Sequence, residues 1–354
     1  MNLLRDTVHR IVPQDESYRR KAKERLDQLT MPHWALGRLM GLAVDLAGMT
    51  GSMSPRTERK AIVVMAGDHG VVAEGVTKYP QEVTVQMVLN ILNGGAGINA
   101  LVQLTNAEVF VVDMGVAGDL SPAKDSDRFL SRAIGPGTAN IAAGPAMTRT
   151  DAVRAVETGI RIAVELGGSY DLLGTGDMGI GNTTPSSAII AAFTGAAPAD
   201  VTGRGTGIDE EQFRHKIRVI EKILQTNKPD PGDALDVLAK VGGFEIGGIA
   251  GLIVGAASMR KPILIDGLIS TAGAMIAYGL APVTADYMIA AHMSVEQGHK
   301  AALEFIGKRP LLDLDLRLGE GTGAAAAMPL VDGAVRILTQ VATFEEAAVS
   351  KAEE

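Results

Sequence analysis

Ala61-Ile-Val-Val-Met65, followed at once by Ala-Gly-Asp68-His69, decides the fold. A short, unbroken apolar run of this kind reads as a strand buried on both faces, with polar groups delivered at its carboxyl end. The pattern recurs at Val109–Asp113, Tyr170–Leu173 and Pro262–Asp266, with helical stretches between. Strands alternating with helices predict an α/β chain: a parallel sheet covered by helices on both faces. Asp68-His69, Asp113, Asp177 and Asp266 follow these strands. In an open parallel sheet, ligands bind outside the carboxyl ends of the strands. Any one such acid could simply cap a helix, but four at one edge point to a shared site.

Outward from the strands, the first fifty residues read as helical, with Arg19–Leu29 charged and Trp34–Leu46 amphipathic. Ser52–Arg56 is a polar, proline-containing break, and the Ala- and Glu-rich tail beyond Val341 is expected to be a helix. At 354 residues the chain exceeds one ordinary core, which predicts a large domain and a smaller lobe. A net charge of −8 disfavours nucleic acid or an anionic membrane as partner. The absence of cysteine excludes disulfides, thiolate nucleophiles and Cys-ligated zinc. MNLLRDTVHR lacks the apolar run of a signal peptide, and Gly247–Met259 is too short to span a bilayer. The expectation is a cytoplasmic protein.

Gly174-Thr-Gly-Asp-Met-Gly179 satisfies the dinucleotide pattern G-x-G-x-x-G, but the fit is poor. The next helix is expected only at Pro185, capped by Thr184, and no acid stands about 20 residues on at a strand end. A glycine turn feeding a helix N-terminus could cradle one phosphate, or be an ordinary tight turn. Gly203-Arg-Gly-Thr-Gly207 and Gly319-Glu-Gly-Thr-Gly323 permit close backbone approach to a ligand. In the second, Glu320 either points into a cleft or is a solvated surface acid. Asp209 and Gln212 form a capping box for a helix to about Thr226, with a predicted stripe of Phe213, Ile217, Ile220 and Leu224. Lys216 falls on the margin of that stripe, able to reach a pocket or to snorkel to solvent. Six scattered histidines lack the spacing of a zinc helix, and no G-x-S-x-G elbow is present. From the residues themselves comes a phosphate-binding α/β enzyme with acids at its strand ends.

Longer motifs carry more. Gly67–Thr84, Asn93–Asn99, Gly137–Asn140, Met178–Pro185, Gly203–Asp209, His292–Glu296 and Leu312–Met328 together resemble the nicotinate-nucleotide–dimethylbenzimidazole phosphoribosyltransferase family, in family order and over almost the whole chain. That resemblance implies a Rossmann-like domain over about 55–300 and a small helical lobe built from 1–54 and 301–354. It implies a homodimer with the site near the subunit interface. Its substrates would be nicotinate mononucleotide and a benzimidazole-type base, with no cofactor and no metal. Glu320 is implied as the general base, with Lys216, Gly179, Asn182, Gly267 and Ser294 holding the ribose phosphate. Tyr79, Pro80, Gln86, Arg317 and Leu318 would wall the base pocket. Many members carry Glu where this chain has Asp177, an acid suited to stabilising an oxocarbenium-like centre. The other readings are a nucleotide-binding paralogue without activity, and an NAD-dependent oxidoreductase.

Overall fold

The computed structural model describes residues 3–205 and 207–350. Its core is a six-stranded, wholly parallel sheet: β1 Lys60–Gly67, β2 Glu108–Gly115, β3 Phe129–Ser131, β4 Leu172–Met178, β5 Ile263–Ile265 and β6 Met288–Ala290. The spatial order β3-β2-β1-β4-β5-β6 is that of a doubly wound sheet, with its reversal between β1 and β4. All eight residues of β1 are buried, as a strand covered on both faces requires. A short parallel pair, β7 His292–Met293 and β8 Leu312–Asp313, lies beside the carboxyl edge. The four predicted strands are all present, and β4 runs five residues further than its apolar run. Gly174, Gly176 and Asp177 therefore belong to the strand itself. Side chains at the two glycines would be crowded: a Cβ on Gly174 would meet the end of Ile62 at 2.5 Å, and one on Gly176 the Glu320 carbonyl at 2.7 Å. Gly174 and Gly176 of the dinucleotide-like pattern thus serve packing within the strand rather than a phosphate turn.

Alternate residues of β1 face opposite layers. Ile62 lies under the Thr322–Gln340 helix, whose Gly321 entrance would bring a Cβ within 2.5 Å of it. Met65 lies against the Phe244–Ser258 helix at Gly248. That helix crosses the Arg149–Gly167 helix with backbones nearly touching. A Cβ on Gly251 would stand 1.9 Å from the Val156 carbonyl, and one on Gly159 2.0 Å from that of Gly248.

The chain ends meet. The Glu16–Leu26 and Arg38–Thr50 helices pack against each other and against Thr322–Gln340. Arg25 donates to the Leu338 carbonyl at 2.8 Å, and Leu29 bridges Thr343. The amphipathic stretch begins as a helix only at Arg38, because Gly37 at φ +51° turns the chain. Beyond Val341 the expected helix is replaced by turns as far as Ser350, with Glu346 held by Arg25 and by the Thr343 N–H. Residues 351–354 of that tail lie outside the described residues. One stretch among the described residues, Val83–Val102, has the length and composition of a membrane span. It is two helices, Val83–Leu92 and Gly97–Val102, parted at Asn93–Ala96.

Gly251→Ala should be destabilising by about 1–3 kcal/mol although alanine favours a helix by roughly 1 kcal/mol, because overpacking outweighs propensity. A urea midpoint raised by the substitution would contradict that packing.

Candidate active site

At the carboxyl edge, across the β1–β4 reversal, lies a cavity of about 730 Å³. Asp177, Gly179, Asn182, Gly267, Ser294, Tyr79, Arg317, Leu318 and Glu320 all line it. Pro80 and Gln86 do not; both are exposed, and Val83 and Met87 of the same segment line the wall instead. Lys216 reaches the cavity through a neighbour: its Nζ donates to Thr183 Oγ1 at 2.7 Å, and Thr183 is in the lining.

The helix predicted from Pro185 opens at Thr183, with Asn182 rather than Thr184 at its cap position. The Asn182 side chain is not used for capping, since Nδ2 donates to Asp177 Oδ2 at 3.0 Å. Gly179 is obligatory: a Cβ there would lie 2.2 Å from the Gly67 carbonyl. A second helix, Leu268–Leu280, starts at Gly267 on the same cavity. Free N–H groups and positive dipole ends make two such N-termini suited to an anion.

Lys216 sits on the Glu210–Asn227 helix, whose capping box of Asp209 and Gln212 is present as expected. The buried face is Lys216, Val219, Ile220, Ile223 and Asn227, rotated from the predicted stripe, so Phe213 and Ile217 are only half-buried. The rotation moves Lys216 from the margin into the protein, where it is 1% exposed. Burial pushes its ammonium down to about 8, with Glu296 opposing. Thr206, in the glycine cluster facing Lys216, lies outside the described residues.

Glu320 is buried, not a surface acid. Gly319, Glu320 and Gly321 are consecutively left-handed, at φ +83°, +61° and +88°. That conformation costs a non-glycine residue on the order of 1–2 kcal/mol. The Glu320 N–H donates to the Asp177 carbonyl at 3.2 Å, and its Oε2 accepts from the Ile98 N–H at 3.1 Å. Burial raises the Glu320 carboxyl above its ordinary value, opposed by the amides of Ile98 and Gly97. Asp177 is raised well above the usual carboxylate range, first by burial and then by Asp266 nearby. Its Oδ1 has no partner among the described residues.

Of the four strand-end acids, two serve structure alone. Asp113 Oδ1 accepts from the N–H groups of Gly115 and Val116, and Asp68 from Thr84 and Ala117. Asp266 accepts from Gly321 and Ala324, and burial pushes it up to about 6. Sequence reasoning missed Glu245, fully buried and 2.8 Å from His69 Nε2, although one acid heading a long apolar run was a visible signal. It also missed His292, which lines the cavity, and His299. His299 is pushed down to about 3 by burial, with His292 beside it. As a neutral ring it accepts from the Ser294 N–H at 2.8 Å on Nδ1 and donates to Thr271 from Nε2. Among the described residues no three His, Asp or Glu side chains are grouped as a metal site would need.

Residues 11–349 match a family model described as phosphoribosyltransferase. The nicotinate-nucleotide–dimethylbenzimidazole phosphoribosyltransferase of Syntrophotalea carbinolica is 66% identical over 99% of each chain. That of Desulfotalea psychrophila is 57% identical over 100% of each. A crystal structure of the Thermus thermophilus enzyme of the same name superposes with a TM-score of 0.90 at 47% identity, covering 96% of this chain and 100% of that one. The chain belongs to the nicotinate-nucleotide–dimethylbenzimidazole phosphoribosyltransferase family.

Proposed function

We propose that the chain transfers the ribose phosphate of nicotinate mononucleotide to 5,6-dimethylbenzimidazole, giving nicotinate and α-ribazole 5′-phosphate for the nucleotide loop of cobalamin. The observation that carries this is 66% identity over 99% of each chain to an enzyme of that name, joined to one cavity lined by two helix N-termini and by the buried carboxyl groups of Asp177, Glu296 and Glu320.

The donor phosphate belongs at the Thr183 and Leu268 helix starts, with Lys216 as its cation and the Gly179 and Gly267 backbone beside it. Ser294, fixed by His299, completes that end. The nicotinate ring leaves as a neutral pyridine, so departure needs no general acid. Positive charge grows at the anomeric carbon as the bond breaks, and Asp177, whose Oδ1 has no partner among the described residues, stabilises it. Glu320 takes the N–H proton of the incoming benzimidazole as its other nitrogen bonds to carbon. Attack from the opposite face inverts the linkage from β to α. Tyr79, Arg317 and Leu318 wall the acceptor ring.

We further read the chain as a cytoplasmic homodimer, with residues 55–300 as the large domain and 1–54 with 301–354 as the small lobe. Tyr79, Leu314 and Leu318, exposed at 51%, 57% and 59%, support a partner covering the cavity rim.

Incubation with nicotinate mononucleotide and 5,6-dimethylbenzimidazole should release equimolar nicotinate and α-ribazole 5′-phosphate on chromatography. Nucleotide binding without product would leave a paralogue that binds but does not react.

Glu320→Gln should lower kcat by about 100- to 10,000-fold, the usual worth of a general base, with nucleotide affinity retained. Because the carboxyl must be ionised to accept a proton and burial raises it, kcat/KM should climb with pH to a midpoint above the ordinary 4.5. A profile whose acid limb is the same in Glu320→Gln would remove this residue from the role.

Lys216 binds phosphate as the ammonium, which predominates below about 8 and is lost above it. Affinity for nicotinate mononucleotide should therefore weaken as pH rises through that value. In Lys216→Met it should be weaker throughout and lack this step; calorimetry at several pH values decides.

A further inference from the structure

We infer that Asp266 is a positioning residue that aims the Glu320 carboxylate by holding the left-handed Gly319–Gly321 turn from beneath, so that it governs turnover without itself meeting the substrate. This rests on the reading of Glu320 as the general base.

The turn is the only place among the described residues where three consecutive residues have positive φ, and the central one is not glycine. A left-handed glutamate persists only where its surroundings over-determine it. Asp266, fully buried at the end of β5, supplies the restraint at the far side of the turn. Its Oδ2 accepts from the Gly321 N–H at 3.1 Å and its Oδ1 from the Ala324 N–H at 3.0 Å. Both oxygens thus hold amides that follow Glu320 and open the Thr322–Gln340 helix, and Oδ1 also stands 3.8 Å from His292 Nε2. On the near side, the Glu320 N–H is tied to the Asp177 carbonyl, and Thr322 Oγ1 closes the turn onto the Gly319 carbonyl at 2.8 Å. From that backbone the side chain runs to the Ile98 amide, which donates to Oε2 at 3.1 Å. That contact also gives the Asn93–Asn99 motif a purpose: it presents a backbone donor to the base.

An amide in place of the Asp266 carboxylate keeps the volume but can accept at only one of its two positions. Asp266→Asn should therefore release one amide and let the turn relax.

The test compares wild type, Asp266→Asn, Glu320→Gln and the double variant by steady-state kinetics, with the melting temperature and the nicotinate mononucleotide dissociation constant as folding controls. The expected result is a fall in kcat of about 100-fold in Asp266→Asn, the scale of a misplacement near 1 Å, with KM for both substrates little changed. In the Glu320→Gln background the same substitution should cost less than about threefold, because groups acting as a unit are not additive. An unchanged kcat in Asp266→Asn, or an equal loss in both backgrounds, overturns the inference. Near-normal turnover in Glu320→Gln alone is a different failure, that of the base assignment. If Asp266→Asn does not fold, Thr322→Val removes a second restraint of the same turn at nearly constant shape. It carries the same comparison, with the same two results deciding it.

Discussion

Everything at the active site depends on how closely the Gly319–Gly321 turn approaches β4. Gly176 has no side chain, and the Glu320 carbonyl occupies the space where one would be. Gly174 leaves room in the same way for Ile62 and Met328. With no side chains at these positions, the C-terminal segment seats directly on the central strand beside the sheet's reversal. Asp177 of β4 and Glu320 of the turn then share one backbone hydrogen bond and open on one cavity. The contact also joins remote parts of the chain, because the helix that follows the turn packs against the Glu16–Leu26 and Arg38–Thr50 helices.

Both signs of charge meet at the cavity. Two helix N-termini and, through Thr183, Lys216 contribute positive potential. Asp177 and Glu320 of the lining, and Asp266 behind the turn, are all raised by burial, so each carboxylate is costly to ionise. Fixed dipoles and carboxylates that need no rearrangement act most strongly where water is excluded.

The sheet was legible because buried parallel strands write themselves as unbroken apolar runs, and four of the six did. β3 and β6 were not, since three-residue strands carry too little pattern. The strand end at β4 was hidden for a different reason: its residues are glycines, which look like a turn until the packing that requires them is known. The buried face of the Glu210–Asn227 helix differs from the expected stripe by a small rotation, which decides whether Lys216 lies at the surface or inside the protein beside Thr183. Glycine spacing could not tell a solvated Glu320 from a buried one, as that difference comes from Ile98 and Asp266, far apart in sequence. The functional roles came from motif resemblance; residue chemistry stopped at an α/β enzyme that binds phosphate.

Lys216 and Glu320 illustrate one constraint from opposite sides. Each is drawn towards neutrality by burial, the lysine downward and the acid upward. Neither shift favours folding, since a buried ionisable group costs more than its solvated form. The structure offsets only part of that cost, with one hydroxyl for the ammonium and backbone amides for the carboxylate. The remainder is left as a standing cost, and incompletely solvated groups of this kind gather at functional sites rather than in cores built for stability alone.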